Sequence, residues 1–221
     1  MRLKSLPIDE LMRRVEEELR DVLGRPGNLM LAGGSTPFAM YRRLAERPSP
    51  VHAQRRIFLS DERLVPFDSP QSNGGRLLPI LRALGCEDRF VSIDPTLPAP
   101  LVAKRFSIAL AEMERVDYAL MGMGADGHVA GIFDPVRARK REGPLAFWTE
   151  RPDGTKGVSV SPLFLQRCER IVLPVLGGGK RAAVEALAEC PESLVAGLVM
   201  AGLPNVELRT DLSLRSAGKS L

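Results

Sequence analysis

The chain has 221 residues and a formal net charge of +4, and 44% of its residues are hydrophobic and 26% charged. This composition is ordinary for a globular protein, and no run approaches the roughly 18 to 20 apolar residues that a membrane-spanning helix needs, so we expect no membrane partner. Most basic residues are Arg, scattered along the chain with few aromatic residues between them, which favours a small anionic substrate over nucleic acid.

The N-terminal part of the chain alternates between helix and strand patterns. Apolar residues at three- and four-residue spacing predict a helix over residues 8–24, opened by Pro7 and closed by Gly24. Residues 28–32 (NLMLA) predict a strand buried on both faces, and a helix is expected to begin near Pro37. The alternation continues with a strand at 55–60, a polar loop at 61–73, a helix at 74–85 and a short strand at 89–93.

The rest of the chain keeps this alternation. Pro79 is expected to break the helix at 74–85 or to start it. Then follow a helix at 101–114, a buried strand at 116–124, weaker strands at 145–150 and 157–161, a strong strand at 170–176, a loop at 177–180, a helix at 181–189 and a last strand near 205–210. Strands that alternate with helices predict an α/β fold with a mainly parallel sheet covered on both sides, and the length favours one domain over residues 1–221.

Four polar segments that contain glycine or charged residues each follow a predicted strand. They are residues 33–37, 61–73, 122–135 and 177–180. In an open parallel sheet, ligands bind where the carboxyl ends of the strands meet such loops. We therefore expect the four segments to face one common cleft.

The glycines of GMGADGHVAGIFDP, residues 122–135, have two possible uses. Gly122, Gly124 and Gly127 fit the G-x-G-x-x-G pattern of a dinucleotide site, with Glu150 at a suitable distance for a ribose-binding acid. Two features of the segment weaken that interpretation. The fingerprint needs a long helix next, yet Pro135 comes soon after, and Asp126 would place a carboxylate beside the phosphates.

The other use of these glycines is a tight turn that aims Asp126 and His128 into the cleft. A histidine titrates near neutral pH and can act as a general base. His128 could instead be a structural histidine that bonds to a loop carbonyl. The second histidine, His52, precedes a strand and is expected at the opposite edge of the sheet, without a role.

The segments at 33–37 and 177–180 offer groups that bind anions. Gly33, Gly34, Ser35 and Thr36 bring glycine backbone, hydroxyls and amides to a helix start, which suits a phosphate group, although Ser or Thr would equally cap a helix. Lys180 ends a GGGK loop that lacks the upstream glycine of a nucleotide-binding P-loop. These residues favour a single phosphate monoester as the ligand.

The remaining candidate groups are charged residues and cysteines. Asp61 and Arg63 directly follow a strand, so one or two of the charges in residues 61–63 are expected to face the cleft. The three cysteines are dispersed and odd in number, which predicts reduced thiols in a cytoplasmic protein rather than a disulfide framework. Two histidines and dispersed cysteines cannot easily form a metal site, so we expect no metal.

Taken together, the motifs resemble those of the 6-phosphogluconolactonase family, within the larger group that includes glucosamine-6-phosphate deaminases. The matching segments are LAGGSTP, DERLVPFDSPQSN, MGMGADGHVAGIF, RIVLPVLGGGK and PES, in this order along almost the whole chain. The resemblance implies a three-layer α/β/α sandwich with a doubly wound, Rossmann-like sheet. It also implies hydrolysis of 6-phosphoglucono-δ-lactone in the pentose phosphate pathway, without a metal or redox cofactor.

The resemblance also implies roles for the residues of the cleft. The phosphate is expected against Gly34, Ser35 and Thr36, held by Lys180 and Arg63, and Asn73 is expected near the sugar. His128 is expected to remove a proton from water as it attacks the lactone carbonyl. Asp126 or Asp61 would orient the imidazole or the water.

Two other functions within the larger group stay open. Deaminases usually have DEY where this chain has DER, and a glutamate where this chain has Phe133, which favours the lactonase. A sugar-phosphate-binding regulator without catalysis usually carries an added DNA-binding module, and no helix-turn-helix extension is expected at either end of this chain.

The chain departs from the family pattern at two places. Asp134 is inserted before Pro135, where lactonases commonly have LFP. Gly157 stands where the family has an arginine, so Lys156 would have to replace that arginine if it helps to hold the phosphate.

Overall fold

The computed structural model describes residues 1–213 and contains ten strands. The strands are β1 (Arg2–Ser5), β2 (Gly27–Leu31), β3 (Arg55–Leu59), β4 (Asp61–Arg63), β5 (Phe90–Val91), β6 (Tyr118–Leu120), β7 (Ala146–Glu150), β8 (Lys156–Val160), β9 (Ile171–Val175) and β10 (Val206–Thr210). The helices are α1 (Ile8–Leu23), α2 (Ser35–Glu46), α3 (Asn73–Ala83), α4 (Ala99–Ala111), α5 (Pro135–Ala138), α6 (Pro162–Leu165), α7 (Arg181–Glu189) and α8 (Val195–Met200).

Seven strands form one parallel sheet in the order β1-β10-β9-β6-β2-β3-β5. Successive side chains of β2 enter opposite cores: Leu29 and Leu31 pack with α1, α2 and α3, and Met30 packs with α4, α6, α7 and α8. This confirms the predicted three-layer, doubly wound α/β/α sandwich. The chain reverses direction across the sheet between β2 and β6, which is where such folds bind ligands.

A second sheet, absent from the sequence prediction, stands beside the first. Its three strands are antiparallel in the order β4-β8-β7, with Asp61 opposite Ser159 and Arg63 opposite Gly157. Residues 61–63 are therefore a strand, and the prediction that they belong to a loop was wrong. Their polar side chains gave no sign of a strand because the apolar partner, β8, lies almost a hundred residues later.

Two further details differ from the prediction. Helix α3 starts at Asn73 and continues through Pro79, so proline neither breaks nor starts it; buried Leu77, Ile80 and Leu81 on both sides of the proline hold the helix against the core. Strand β1 was missed because it lies at the edge of the sheet, with three of its four residues exposed.

Two further observations concern membrane-spanning helices and the cysteines. Within residues 1–213, no helix has both the length and the apolar character needed to cross a membrane. Cys86, Cys168 and Cys190 are all free thiols. Burial raises the pKa of the Cys168 thiol to about 12 and that of Cys86 to about 11, so neither is a reactive thiolate at neutral pH.

Candidate functional site

A cavity of about 240 Å³ opens at the carboxyl ends of β2, β3, β6 and β9. Nine of the ten residues predicted for the site line it: Gly33, Gly34, Ser35, Thr36, Asp61, Arg63, Asn73, His128 and Lys180. The tenth, Asp126, lies behind His128 and is joined to it by a hydrogen bond. The four polar segments thus meet in one cleft, as the parallel topology required.

The N-terminus of α2 faces the cavity and offers free backbone amides. Gly34 precedes the helix with a φ of 99°, a left-handed conformation that a residue with a side chain rarely adopts. Neither Ser35 nor Thr36 caps this helix, and no other side chain does so among the described residues. The amides of the first turn therefore remain available for an anion, and the helix dipole favours a negative charge there.

Asn73 and Gly33 pack together on the wall of the cavity. The Asn73 amide nitrogen donates to the backbone oxygen of Asp61 at 3.1 Å. A Cβ at position 33 would overlap the Asn73 amide group, so only glycine fits there. The absence of a side chain at Gly33 thus lets the Asn73 side chain of α3 pack against the backbone, which the sequence alone did not indicate.

His128 and Asp126 form a pair at the end of the loop after β6. His128 Nδ1 lies 2.6 Å from Asp126 Oδ1, and 26% of the His128 side chain is exposed. Burial raises the pKa of the Asp126 carboxyl, but hydrogen bonds from the ring and amide of His128 outweigh it, so this pKa is below its ordinary value. An ionised carboxylate can only accept, so Nδ1 of the ring donates and Nε2 of the neutral ring is left to accept a proton.

The glycines of this loop make room for that pair. A Cβ at Gly124 would overlap both His128 Nδ1 and the Asp126 carboxylate. The loop runs without a helix to α5, which has only four residues, so it does not have the long helix of a dinucleotide site, and Glu150 is exposed at the end of β7. The inserted Asp134 caps α5 by accepting from Arg137 N at 2.7 Å.

Replacing Gly124 by Ala is expected to lower kcat for the cleft's reaction about 10-fold or more, because the methyl group would push the imidazole away from its carboxylate. Steady-state kinetics of the purified variant would measure this. Gly24→Ala is the matched control, since a methyl group at the end of α1 meets only carbonyl oxygens at ordinary contact distances. A Gly124→Ala enzyme with unchanged kcat would contradict the account of this loop.

The three charged residues of β4 alternate between the cavity and the interior. Asp61 and Arg63 line the cavity, and Ser60 Oγ donates to Asp61 Oδ1 at 2.8 Å. Glu62 points the other way and is 2% exposed; it accepts from the amides of Arg63 and Asn73 at 2.7 and 2.8 Å. Asp61 and Arg63 are thus placed for a ligand, whereas Glu62 holds the start of α3.

Lys180 reaches the cavity from the loop after β9. Its Nζ donates to the backbone oxygen of Met123 at 2.7 Å, which leaves further N–H groups for a ligand. Burial lowers the pKa of the Lys180 ammonium, and the nearby charge of Asp126 opposes that shift.

A charged residue of the cavity, Arg151, was missed by the sequence analysis. Arg151 lines the cavity from the hairpin between β7 and β8, and its Nη1 lies 3.6 Å from Asp61 Oδ2. Lys156, which was considered as a replacement for the family arginine, is exposed and is not among the residues lining the cavity. Phe133 also lies nearby, with its ring 4.7 Å from that of His128.

Comparisons with known proteins bear on this site. The family described as glucosamine-6-phosphate isomerases/6-phosphogluconolactonase matches residues 4–202. A 6-phosphogluconolactonase of Thermotoga maritima is 34% identical over 132 residues, covering 58% of this chain and 60% of that protein, so the match spans less than two thirds of the relative. A glucosamine-6-phosphate deaminase of Rhodococcus jostii is 29% identical over 194 residues, covering 76% of this chain and 72% of that protein. The crystal structure of a 6-phosphogluconolactonase from Thermotoga maritima superposes with a TM-score of 0.77 at 26% identity, covering 95% of this chain and 99% of that one.

Proposed function

The chain belongs to the glucosamine-6-phosphate isomerase/6-phosphogluconolactonase family, and from that premise we propose that it hydrolyses 6-phospho-D-glucono-1,5-lactone to 6-phosphogluconate in the pentose phosphate pathway. One observation carries the proposal. A single cavity is lined both by the imidazole of His128, which Asp126 holds through Nδ1, and by a helix terminus at Ser35 with Lys180, which suits an anion. Lactone hydrolysis needs this combination of a base and an anchor for the phosphate.

The phosphate group binds at the N-terminus of α2. The amides of Ser35 and Thr36 donate to its oxygens, and Lys180 and Arg63 balance its charge. Asn73 lies on the same wall, where it can contact a hydroxyl of the sugar. Holding the phosphate at one end of a cavity this small orients the lactone ring for reaction at the other end.

His128 acts as the general base. Its Nε2 takes a proton from water while the water oxygen attacks C1 of the lactone, which gives a tetrahedral intermediate with a negative charge on the former carbonyl oxygen. Amides of the surrounding loops donate to that oxygen. The intermediate then breaks the bond from C1 to the ring oxygen, and the protonated imidazole returns its proton to the leaving oxygen. Asp126 holds the ring in the required tautomer throughout.

The deaminase is the competing activity, since one relative carries that name. The residue at position 133 favours lactone hydrolysis over deamination on chemical grounds. The Phe133 ring lies beside the His128 ring, so this position faces the reacting group, and an apolar ring there cannot supply a proton for sugar ring opening and loss of ammonia.

A rapid continuous assay of lactone loss tests the proposal. The lactone also hydrolyses unaided, so the expected result is a rate proportional to enzyme concentration and well above that background. Ammonia release from glucosamine 6-phosphate, measured in parallel, would instead establish a deaminase. Tight binding of 6-phosphogluconate with no acceleration of either reaction would establish a sugar-phosphate-binding protein without catalysis.

The remaining features of the proposal concern partners and location. We place the enzyme in the cytoplasm as one domain over residues 1–221, with a phosphorylated sugar lactone as its ligand and without a metal, redox cofactor, nucleic acid or membrane partner. The free thiols of Cys86, Cys168 and Cys190 support this placement.

A further inference from the structure

Arg151 reaches the cavity because of the register of the β7–β8 hairpin. Thr149 lies opposite Gly157, and Arg151 N donates to Thr155 O one step further along. Alternate residues of a strand share a face, so Arg151 projects from the same face of the sheet as Thr149 and Gly157. That face also carries Arg63, which pairs with Gly157 from β4, the other neighbour of β8 in this sheet.

Gly157 leaves the space that the Arg151 side chain fills. A Cβ at position 157 would lie 3.1 Å from the backbone oxygen of Glu62 and in van der Waals contact with Arg151, 3.6 Å from its Cδ and 3.7 Å from its Cγ. The aliphatic part of Arg151 thus packs over Gly157, in contact with the position that a side chain at 157 would occupy. With glycine at 157, the guanidinium on this wall of the cavity comes instead from Arg151, directly after the neighbouring strand of the hairpin.

The guanidinium of Arg151 is largely buried and only partly satisfied: its charge lies near the Asp61 carboxylate and 5.2 Å from the centre of the Phe133 ring, and its Nε has no hydrogen-bond partner among the described residues. Only 10% of the side chain is exposed, and within residues 1–213 it makes no hydrogen bond. Its nearest carboxylate oxygen, on Asp61, is 3.6 Å away, which is longer than a hydrogen bond. The Nε atoms of Arg151 and Arg63 are both buried and lack a partner among the described residues. Burying donors and charge in this way is costly unless a ligand satisfies them.

We propose that Arg151 binds the phosphate group of the substrate. It would thereby replace the arginine that the family pattern has at position 157, where this chain has glycine. This inference rests on the proposed function, because it names a further residue of the same site. The cavity holds three cationic groups, those of Arg63, Arg151 and Lys180, against one carboxylate, that of Asp61, which leaves an excess of two positive charges for a ligand. The phosphate monoester is the substrate's only group that carries two, and the planar guanidinium fork matches its oxygens.

The test compares four variants by kinetics and by binding. Arg151→Ala is expected to raise KM, and the Kd for 6-phosphogluconate and for inorganic phosphate, by about 10- to 100-fold with kcat changed by less than about 3-fold. Arg151→Lys keeps the charge but not the fork, and an intermediate effect is expected. Lys156→Ala, which removes a charge from the same hairpin outside the cavity, is the matched control and should change neither KM nor Kd.

The fourth variant moves the arginine rather than deleting it. Arg151→Ala with Gly157→Arg places a guanidinium on the same wall from the opposite strand; deleting the Arg151 side chain frees the space beyond the new Cβ, and the Cβ itself needs a shift of a few tenths of an ångström from the Glu62 backbone oxygen. Recovery of at least 10-fold of the lost phosphate affinity is expected. A purely structural role for Arg151 would not be rescued in this way, and thermal unfolding of each variant shows whether it is folded.

Several results would overturn the inference. If Arg151→Ala and Arg151→Lys, both folded, bind inorganic phosphate as the unaltered protein does, the phosphate lies elsewhere. If kcat falls and KM stays, the guanidinium acts at the carbonyl end instead. Failure of the proposed function is a separate outcome, because phosphate and 6-phosphogluconate binding are measured without turnover. A protein that binds them through Arg151 but hydrolyses no lactone would refute the enzyme and leave this inference standing.

Discussion

Replacing His128 by Ala is expected to lower kcat for lactone hydrolysis by about 10²- to 10⁴-fold, the usual contribution of a positioned general base. The variant loses the imidazole whose Nε2 is placed to accept a proton from water while Asp126 holds Nδ1. KM should change little, because the phosphate is held at α2 and Lys180 and not by the imidazole. The measurement is the initial rate of lactone loss after subtraction of the unaided reaction.

The matched control for this experiment is the chain's second histidine. His52 precedes β3, is not among the residues lining the cavity, and its Nδ1 accepts from the amide of Gln54. His52→Ala should retain full kcat. A His128→Ala enzyme as active as His52→Ala would remove the imidazole from the mechanism and leave it as a structural histidine.

Replacing Glu62 by Ala is expected to lower the free energy of unfolding by about 3 kcal/mol or more, because several buried donors lose their acceptor together. The Glu62 carboxylate accepts from the amides of Arg63, Asn73 and Gly74, at distances of 2.5 to 2.8 Å. Burial raises the pKa of this carboxyl, and the amide hydrogen bonds oppose that shift. The side chain thus connects β4 to the start of α3, and with it the position of Asn73.

Thermal unfolding measures this effect. A loss of about 3 kcal/mol corresponds to a Tm about 6 to 12 °C lower for a domain of this size. Glu17→Ala, which removes an exposed carboxylate paired with Arg13 on α1, should lower Tm by no more than about 2 °C. If the two variants unfold at the same temperature, the carboxylate of Glu62 does not hold these two elements together.

The sequence was most informative about the parallel sheet and its cleft. Strand NLMLA and the apolar run before Gly122 were recognisable because both faces of a central parallel strand are buried. Once the strands were placed, topology alone brought the GGSTP, DER, DGH and GGGK segments to one edge. That is why eight of the ten predicted residues line the cavity although no single motif was decisive; a ninth, Asn73, was predicted from the family resemblance alone.

The sequence was least informative where a position depends on long-range pairing. Arg151 was missed because its place over Gly157 follows from the register of β7 against β8, which no local pattern reveals. Counting alternate residues back from Gly157 across a tight hairpin would have found it, had the hairpin been recognised. Glu62 is a similar case, since only the pairing of β4 with β8 shows that it turns away from the cavity.

A crystal structure with bound 6-phosphogluconate tests the central claim most directly, that one cavity holds the phosphate at one end and presents an imidazole to C1 at the other. We predict the phosphate on the amides of Ser35 and Thr36 with Lys180, Arg63 and Arg151 as its cationic partners. The C1 carboxylate should lie within direct or water-mediated hydrogen-bonding reach, about 2.6 to 3.2 Å for each bond, of His128 Nε2. A ligand bound in the reverse orientation, or one whose C1 group lies far from His128, would contradict the account.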